Sequence, residues 1–186
     1  MTAILALALC RSTSRVGFLI ASRNIFLIIL FRYNQFMDNH NIAAVFIKIA
    51  RLLKIKGESS FKVTAYERAA ESIRNTPENL TEMDIPALKS IPGVGQAIAE
   101  KIKELNQTGN LAFLDRLEGE IPPALLDWLE LPGMGPKTTA LIWKTLGITT
   151  IPELHAAAQG GKLHTIPGIG KKLEAKILAA IENRHS

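Results

Sequence analysis

The sequence predicts an all-α chain, built from tandem units of two helices joined by a short hairpin, in one or two small helical subdomains. Two observations carry this. A phrase is written three times, as Ile91-Pro92-Gly93-Val94-Gly95, Leu131-Pro132-Gly133-Met134-Gly135 and Ile166-Pro167-Gly168-Ile169-Gly170, with the first glycines 40 and then 35 residues apart. That is an internal repeat. Elsewhere apolar residues recur at helical spacing, while the alternation of a strand is absent and valines are few. At 186 residues and 47% apolar, the chain is long enough to bury a core.

Residues 1–36 differ in composition from the rest: they hold Arg11, Arg15, Arg23 and Arg32, no acid, and apolar runs such as 25–31. No uninterrupted stretch approaches the roughly 20 apolar residues of a membrane helix. The first apolar run precedes the arginines, the reverse of a secretory leader. This segment reads as an apolar, basic extension outside the fold, with Met37 as the expected natural start and a weak membrane anchor as the alternative. It also carries most of the net charge of +5, since the other 150 residues hold 18 Lys and Arg against 17 Asp and Glu. Affinity for a polyanion must therefore come from local groups and not from a global field. The single Cys10 excludes an internal disulfide and a thiolate zinc site, and suits a reducing cytoplasm.

From Asn39, the residues Ile42, Val45, Phe46, Ile49, Leu52 and Leu53 mark an amphipathic helix that ends near Gly57. A second helix runs from about Phe61 to Arg74 and is closed by Thr76-Pro77. A third, short one begins at Asp84, whose side chain can cap it, with Pro86 in its first turn. The first repeat follows, and its downstream helix stops at Thr108-Gly109. Pro122-Pro123 then places a boundary near residue 120, separating a 38–120 unit with the first repeat from a 121–186 unit with the second and third. A helix from Lys137 ends at Leu146-Gly147, another begins after Thr150, and Gly160-Gly161 breaks the chain before the last repeat and its terminal helix. Trp128 and Trp143 fall at helical spacing among leucines and read as core.

Within each repeat, proline ends the preceding helix and two glycines permit a tight reversal. Val94, Met134 or Ile169 can tuck between the two helices. The loop opens into a helix N-terminus, where unpaired amides and the helix dipole favour a phosphate oxygen. A side chain on Gly93, Gly95, Gly133, Gly135, Gly168 or Gly170 would keep a phosphate away. Ordinary helix ends would explain one Pro-Gly, but not the second glycine or the isoleucine nine positions past each first glycine (Ile102, Ile142, Ile177). The unit resembles the helix-hairpin-helix motif, a DNA-backbone-reading element. Lys137, Lys171 and Lys172 begin helices where the dipole disfavours a cation, which makes sense if a phosphate sits there.

The order of elements resembles a larger assembly. The run 61–70, Phe-Lys-Val-Thr-Ala-Tyr-Glu-Arg-Ala-Ala, followed by the first repeat, by Ile98-Ala99-Glu100-Lys101-Ile102 and by Thr108-Gly109-Asn110-Leu111, is similar to the amino-terminal lyase domain of the family X DNA polymerases. The second repeat with Leu146-Gly147-Ile148 resembles their fingers subdomain. The third repeat, with Ala158-Gln159-Gly160-Gly161-Lys162-Leu163 before it, resembles the bacterial and archaeal branch called PolX. The resemblance covers about residues 38–184. The family's polymerase palm holds magnesium on paired aspartates, and its bacterial members add a metal-dependent phosphoesterase with clustered histidines. Asp38, Asp84, Asp115 and Asp127 stand far apart and His40, His155, His164 and His185 do not cluster, so neither metal-dependent reaction is expected of this chain as written.

The resemblance implies residue roles. Lys101 falls on the lysine that forms a Schiff base with an incised abasic site, an amine that must be unprotonated to attack. Lys62 and Lys89 fall on lysines near the 5′-phosphate, Tyr66 on the tyrosine beside the nucleophile, and Phe61 on a template-stacking histidine. Tyr66 also lies on the apolar face of its helix, so core and DNA contact both stand. A second family lysine is Ala97 here, which weakens phosphate binding and amine activation. Hairpin carbonyls in the family bind potassium or sodium. By position these are the carbonyls of Lys89, Ile91 and Val94, then Leu129, Leu131 and Met134, with His164, Ile166 and Ile169 as a third set; no other cofactor is expected.

The expectation is a cytoplasmic, nucleoid-associated, DNA-repair protein that holds DNA by its sugar-phosphate backbone without sequence preference, at gaps, nicks or 5′-phosphate ends. The alternatives are a deoxyribose-phosphate lyase using Lys101 and a non-catalytic scaffold for a separate polymerase or nuclease chain.

Overall fold

The computed structural model describes residues 38–184; the 1–36 extension, Met37 and Cys10 lie outside the described residues. Among these there are nine α-helices and no strand. Helix α1 spans Asn39–Lys56. The Asp38 carboxylate accepts the Asn41 N–H at 2.7 Å and caps it, and Gly57, at φ +89°, turns the chain away from its far end. Helix α2 spans Ser60–Asn75 and returns antiparallel along α1. Their facing stripes, Ile42, Phe46, Ile49 and Leu53 against Val63, Tyr66, Ala70 and Ile73, are buried.

Short α3 (Ile85–Ser90) is capped by Asp84, as its sequence implies, through the Ala87 N–H at 2.9 Å. It leads through the first hairpin into α4 (Gln96–Thr108), which ends at Gly109. Helix α5 (Ala112–Glu120) was not anticipated. It is followed by the Pro122-Pro123 turn and one turn of helix, α6 (Leu125–Trp128). The second hairpin opens into α7 (Pro136–Leu146). Helix α8 (Ile151–Gln159) begins with a reciprocal capping box between Thr150 and Glu153. A 3₁₀ turn (Leu163–Thr165) leads to the third hairpin and α9 (Lys171–Glu182).

The expected pair of helices around each hairpin is thus unequal at the second and third repeats. Pro122-Pro123 and Gly160-Gly161 interrupt the chain so close to Leu131 and Ile166 that only a single turn fits upstream. Trp128 is fully buried and Trp143 packs against the core, as the sequence suggested.

Helix α1 is the hub. It packs on α2, α5 and α7, and so on helices from both sides of Pro122-Pro123. Its polar face is paired: Lys48 with Glu118, Lys56 with Glu120 at 2.6 Å, Arg51 with Glu130 at 2.9 Å and Lys54 with Glu67 at 2.5 Å. Exposed pairs of this kind contribute about 0–1 kcal/mol each, so the buried stripe holds the assembly and the ions set its register. Among the described residues the only large apolar side chains left exposed are Phe61 and Leu141.

Candidate nucleic-acid interface

The three hairpins share one backbone solution. The N–H groups of Val94, Met134 and Ile169 donate to the carbonyls of Ile91, Leu131 and Ile166, each at 3.0 Å. Between them Gly93, Gly133 and Gly168 stand at φ +81°, +90° and +93°, the left-handed region that glycine adopts without strain. Both aliphatic residues of every turn are buried, which pins the loop to the fold.

The two glycines of each phrase do different work. The first faces protein. A Cβ on Gly93 would lie 3.5 Å from the Arg68 Cβ of α2, one on Gly133 would strike Leu173 Cδ1 of α9 at 2.6 Å, and one on Gly168 would reach Leu141 Cδ2 of α7 at 3.9 Å. The second hairpin therefore packs on the helix after the third, and the third on the helix after the second. The second glycine faces open space: a Cβ on Gly95, Gly135 or Gly170 would meet nothing within 4 Å. These three residues are helix N-caps in extended conformation, and none of their helices has a side-chain cap. By contrast Asp38, Ser59, Asp84 and Thr150 cap their helices with side-chain oxygens. Lys137, Lys171 and Lys172 are exposed in the first turns beyond.

A surface connects the first two hairpins. One cleft is lined by Gly93, Arg68, Ala65, Thr64, Phe61 and Ser60. A second shares Ser60 and Thr64 and continues past Lys54 and Glu67 to Gly135, Pro136 and Lys137. Phe61, 85% exposed, stands in this path. Arg68, which sequence reasoning did not single out, lies against the first hairpin.

Lys62, Tyr66 and Lys101, placed together only by resemblance, do converge in space, and they do so on a residue that no motif singles out. The Phe113 ring of α5 stacks on Tyr66, with centroids 5.8 Å apart and planes 3° from parallel. Around it stand Lys101 Nζ at 5.1 Å, Lys62 Nζ at 5.8 Å and the Arg116 guanidinium carbon at 5.2 Å from the ring centroid. Lys101 Nζ also donates to the Ala97 carbonyl at 3.2 Å, and Lys62 Nζ lies 3.3 Å from Glu58. Tyr66 is 7% exposed; its ring belongs to the core, and burial pushes its phenol pKa up against the opposing pull of Arg116. Lys89 is exposed at the end of α3, apart from this cluster in sequence and helix.

The third hairpin has its own brace. Glu174, on α9, is buried and accepts the N–H groups of Leu163 at 2.9 Å and His164 at 3.2 Å through one oxygen. Its other oxygen takes His164 Nδ1–H at 2.5 Å, the tautomer that a carboxylate selects. Burial pushes the Glu174 carboxyl up, but the His164 ring and the two amides together outweigh it, and its pKa lies below the ordinary value. Among the described residues no three His, Cys, Asp or Glu side chains gather as a metal site, and no helix is long and apolar enough to cross a membrane.

Fold and hairpin geometry define a protein of tandem helix-hairpin-helix regions. Residues 37–111 match the family model described as a helix-hairpin-helix domain, and residues 125–183 match the SAM-like helix-hairpin-helix tandem. The relatives narrow the class. The chain is 34% identical over 145 residues to the DNA polymerase/3′-5′ exonuclease PolX of Bacillus subtilis, covering 78% of this chain and 25% of that protein. It is 28% identical over 117 residues to DNA polymerase lambda of Arabidopsis thaliana, and 26% over 110 residues to that of Rattus norvegicus, covering 62% and 59% of this chain and 21% and 18% of theirs. The chain thus spans a quarter or less of the length of these relatives. The matches fit the amino-terminal, helix-hairpin-helix part of a family X DNA polymerase, as the order of motifs implied.

Proposed function

We propose that the chain holds DNA by its sugar-phosphate backbone, without sequence preference, as the DNA-binding front of a family X repair polymerase, at gaps, nicks or 5′-phosphate ends. The observation that supports this best is the threefold recurrence of a tight Pro-Gly turn followed by a glycine with open space and an uncapped helix N-terminus. Amides presented in this way satisfy a phosphate oxygen and read no base. Lys137, Lys171 and Lys172 add charge at two of the three seats. A potassium or sodium ion fits the turn carbonyls: Ile91, Leu131 and Ile166 each accept one N–H and keep a second lone pair. Such an ion would supply positive charge toward a phosphate. The reading carries with it a cytoplasmic, nucleoid-associated location.

The test is binding to a short gapped duplex over a range of salt. The expected result is a linear fall of log affinity with log salt, at a slope of about −0.9 per phosphate neutralised, with no dependence on base sequence. Absence of binding at low salt would sink the reading.

A second reading, lyase activity through Lys101, is favoured by the gathering of Lys62 and Arg116 about the ring over which Lys101 stands. With borohydride and an incised abasic duplex, the amine and sugar aldehyde lose water, and the imine is reduced to a stable cross-link. The expected result is a trapped species that Lys101→Ala abolishes; trapping that survives the substitution would leave Lys101 without this role.

A further inference from the structure

The second and third hairpins pack on each other's downstream helices through equivalent residues. A Cβ on Gly133 would lie 3.7 Å from Lys176 Cδ of α9, and one on Gly168 would lie 3.9 Å from Leu141 Cδ2 of α7. Leu141 and Lys176 each stand eight positions past the first glycine of their own repeat, and the first repeat has Lys101 at that step. Two repeats thus carry lysine there and the second carries leucine. That leucine is exposed. About the same two hairpins Lys137, Lys171, Lys172 and Lys176 are exposed as well. None of these four lysines is paired with a carboxylate among the described residues, whereas Lys48, Arg51, Lys54 and Lys56 of α1 all are.

Unpaired cations gathered about an exposed leucine form a surface for a polyanion that also offers apolar area. A lysine at this step would gain from a phosphate, so the leucine forgoes a charge and serves a different group. A partner held by its sugar-phosphate backbone presents one apolar surface there, the face of the sugar. At its 2′ carbon deoxyribose carries only C–H groups, while ribose adds a hydroxyl that donates and accepts. An aliphatic side chain shields that hydroxyl from water and gives it no partner, which costs binding energy.

We propose that Leu141 is a specificity-determining residue of the surface shared by the second and third hairpins, where it lies against the sugars of a bound duplex and favours deoxyribose over ribose. This rests on the DNA-binding reading above and adds to it a residue and a discrimination. The site accepts substitution: Leu141 is exposed on α7, and the stem of Lys176 beside Gly133 shows that a lysine fits at this step.

The experiment measures affinity of the full chain, at fixed salt, for a gapped duplex made entirely of DNA and for two hybrids of the same sequence, one with the continuous strand and one with the interrupted strands in RNA. The wild type is compared with Leu141→Ala and Leu141→Lys. The wild type is expected to bind the all-DNA duplex about tenfold or more tightly than at least one hybrid, the scale of one buried hydroxyl left unpaired. Leu141→Ala should bring that ratio within about twofold. Leu141→Lys should bind all three duplexes more tightly and discriminate as little, because an ammonium can donate to a phosphate or to a hydroxyl. Circular dichroism on the variants checks the fold. A ratio that survives in Leu141→Ala comes from duplex shape and overturns the proposal. So would equal weakening of Leu141→Ala on all three duplexes, or a wild type without preference, with DNA binding still standing. Failure of the wild type to bind any of the duplexes overturns both readings.

Discussion

A chain carrying serine at Gly95, Gly135 and Gly170 should fold as the wild type does and lose about 100-fold or more in affinity for gapped DNA, the sum of several charge-assisted hydrogen bonds. These positions stand at φ −84°, −85° and −91° with nothing within 4 Å of an added Cβ, so neither backbone nor packing objects to a side chain. Serine is also a better N-cap than glycine, and stability should hold or rise slightly. Binding suffers for two reasons that act together. The side chain fills the space a phosphate must enter, and its hydroxyl takes the first-turn amides that would have met the phosphate oxygens. Gly133→Ala provides the opposite pattern. There the backbone is at φ +90° and the new Cβ meets Leu173 Cδ1 at 2.6 Å, so a cost of about 2 kcal/mol in stability is expected. Denaturation midpoints beside binding isotherms separate the two. Unchanged DNA affinity in a folded triple-serine chain would remove the hairpins from the interface.

Most of the element ends were legible because the groups that set them are local. Asp84 precedes its helix, Gly57, Gly109 and Gly147 follow theirs in the left-handed conformation, and Thr150 pairs with a glutamate three residues on. The hairpins were legible for the same reason, since the bond that closes each turn spans only three residues. Helix α5 was missed because its N-cap residue, Leu111, supplies no side-chain cap and no proline opens it; its first N–H is met instead by the Glu104 carboxylate of α4. The site residues found by resemblance, Lys62, Tyr66 and Lys101, sit on α2 and α4. The two that were missed, Phe113 and Arg116, sit on α5, and only tertiary packing brings that helix to them. Nor does periodicity along α1 reveal that its buried stripe serves helices on both sides of Pro122-Pro123. The different tasks of the two glycines, one packed on a distant helix and the other on open space, follow from the same long-range contacts.

Removing the Glu174 carboxylate should produce the largest loss of stability among the polar substitutions, about 3 kcal/mol for Glu174→Ala, because two amides and an imidazole N–H lose their acceptor in a buried place. Ala99 and Thr139 occupy the same step past their own first glycines, so the first and second hairpins have no such brace and the third depends on it. Its 3₁₀ turn is only three residues long and has no side-chain cap; without the carboxylate the amides of Leu163 and His164 lose the acceptor that ties this turn to α9. Glu174→Gln keeps an acceptor for the amides but loses the charge, and should cost about half as much. The pH dependence has a definite sign. The folded pKa of Glu174 lies below its ordinary value of 4.5, so the unfolded chain binds more protons than the folded one as acid is added. The stabilisation is complete above the ordinary glutamate range and disappears as the pH falls through the lowered folded value. Glu153 and Glu120 are lowered as well and shape the same acid limb. The difference between wild type and Glu174→Gln, followed by urea unfolding from neutral pH downward, isolates the one carboxylate. The two stability curves should converge toward acid. Parallel curves would mean that the charge of Glu174 does not brace the third hairpin.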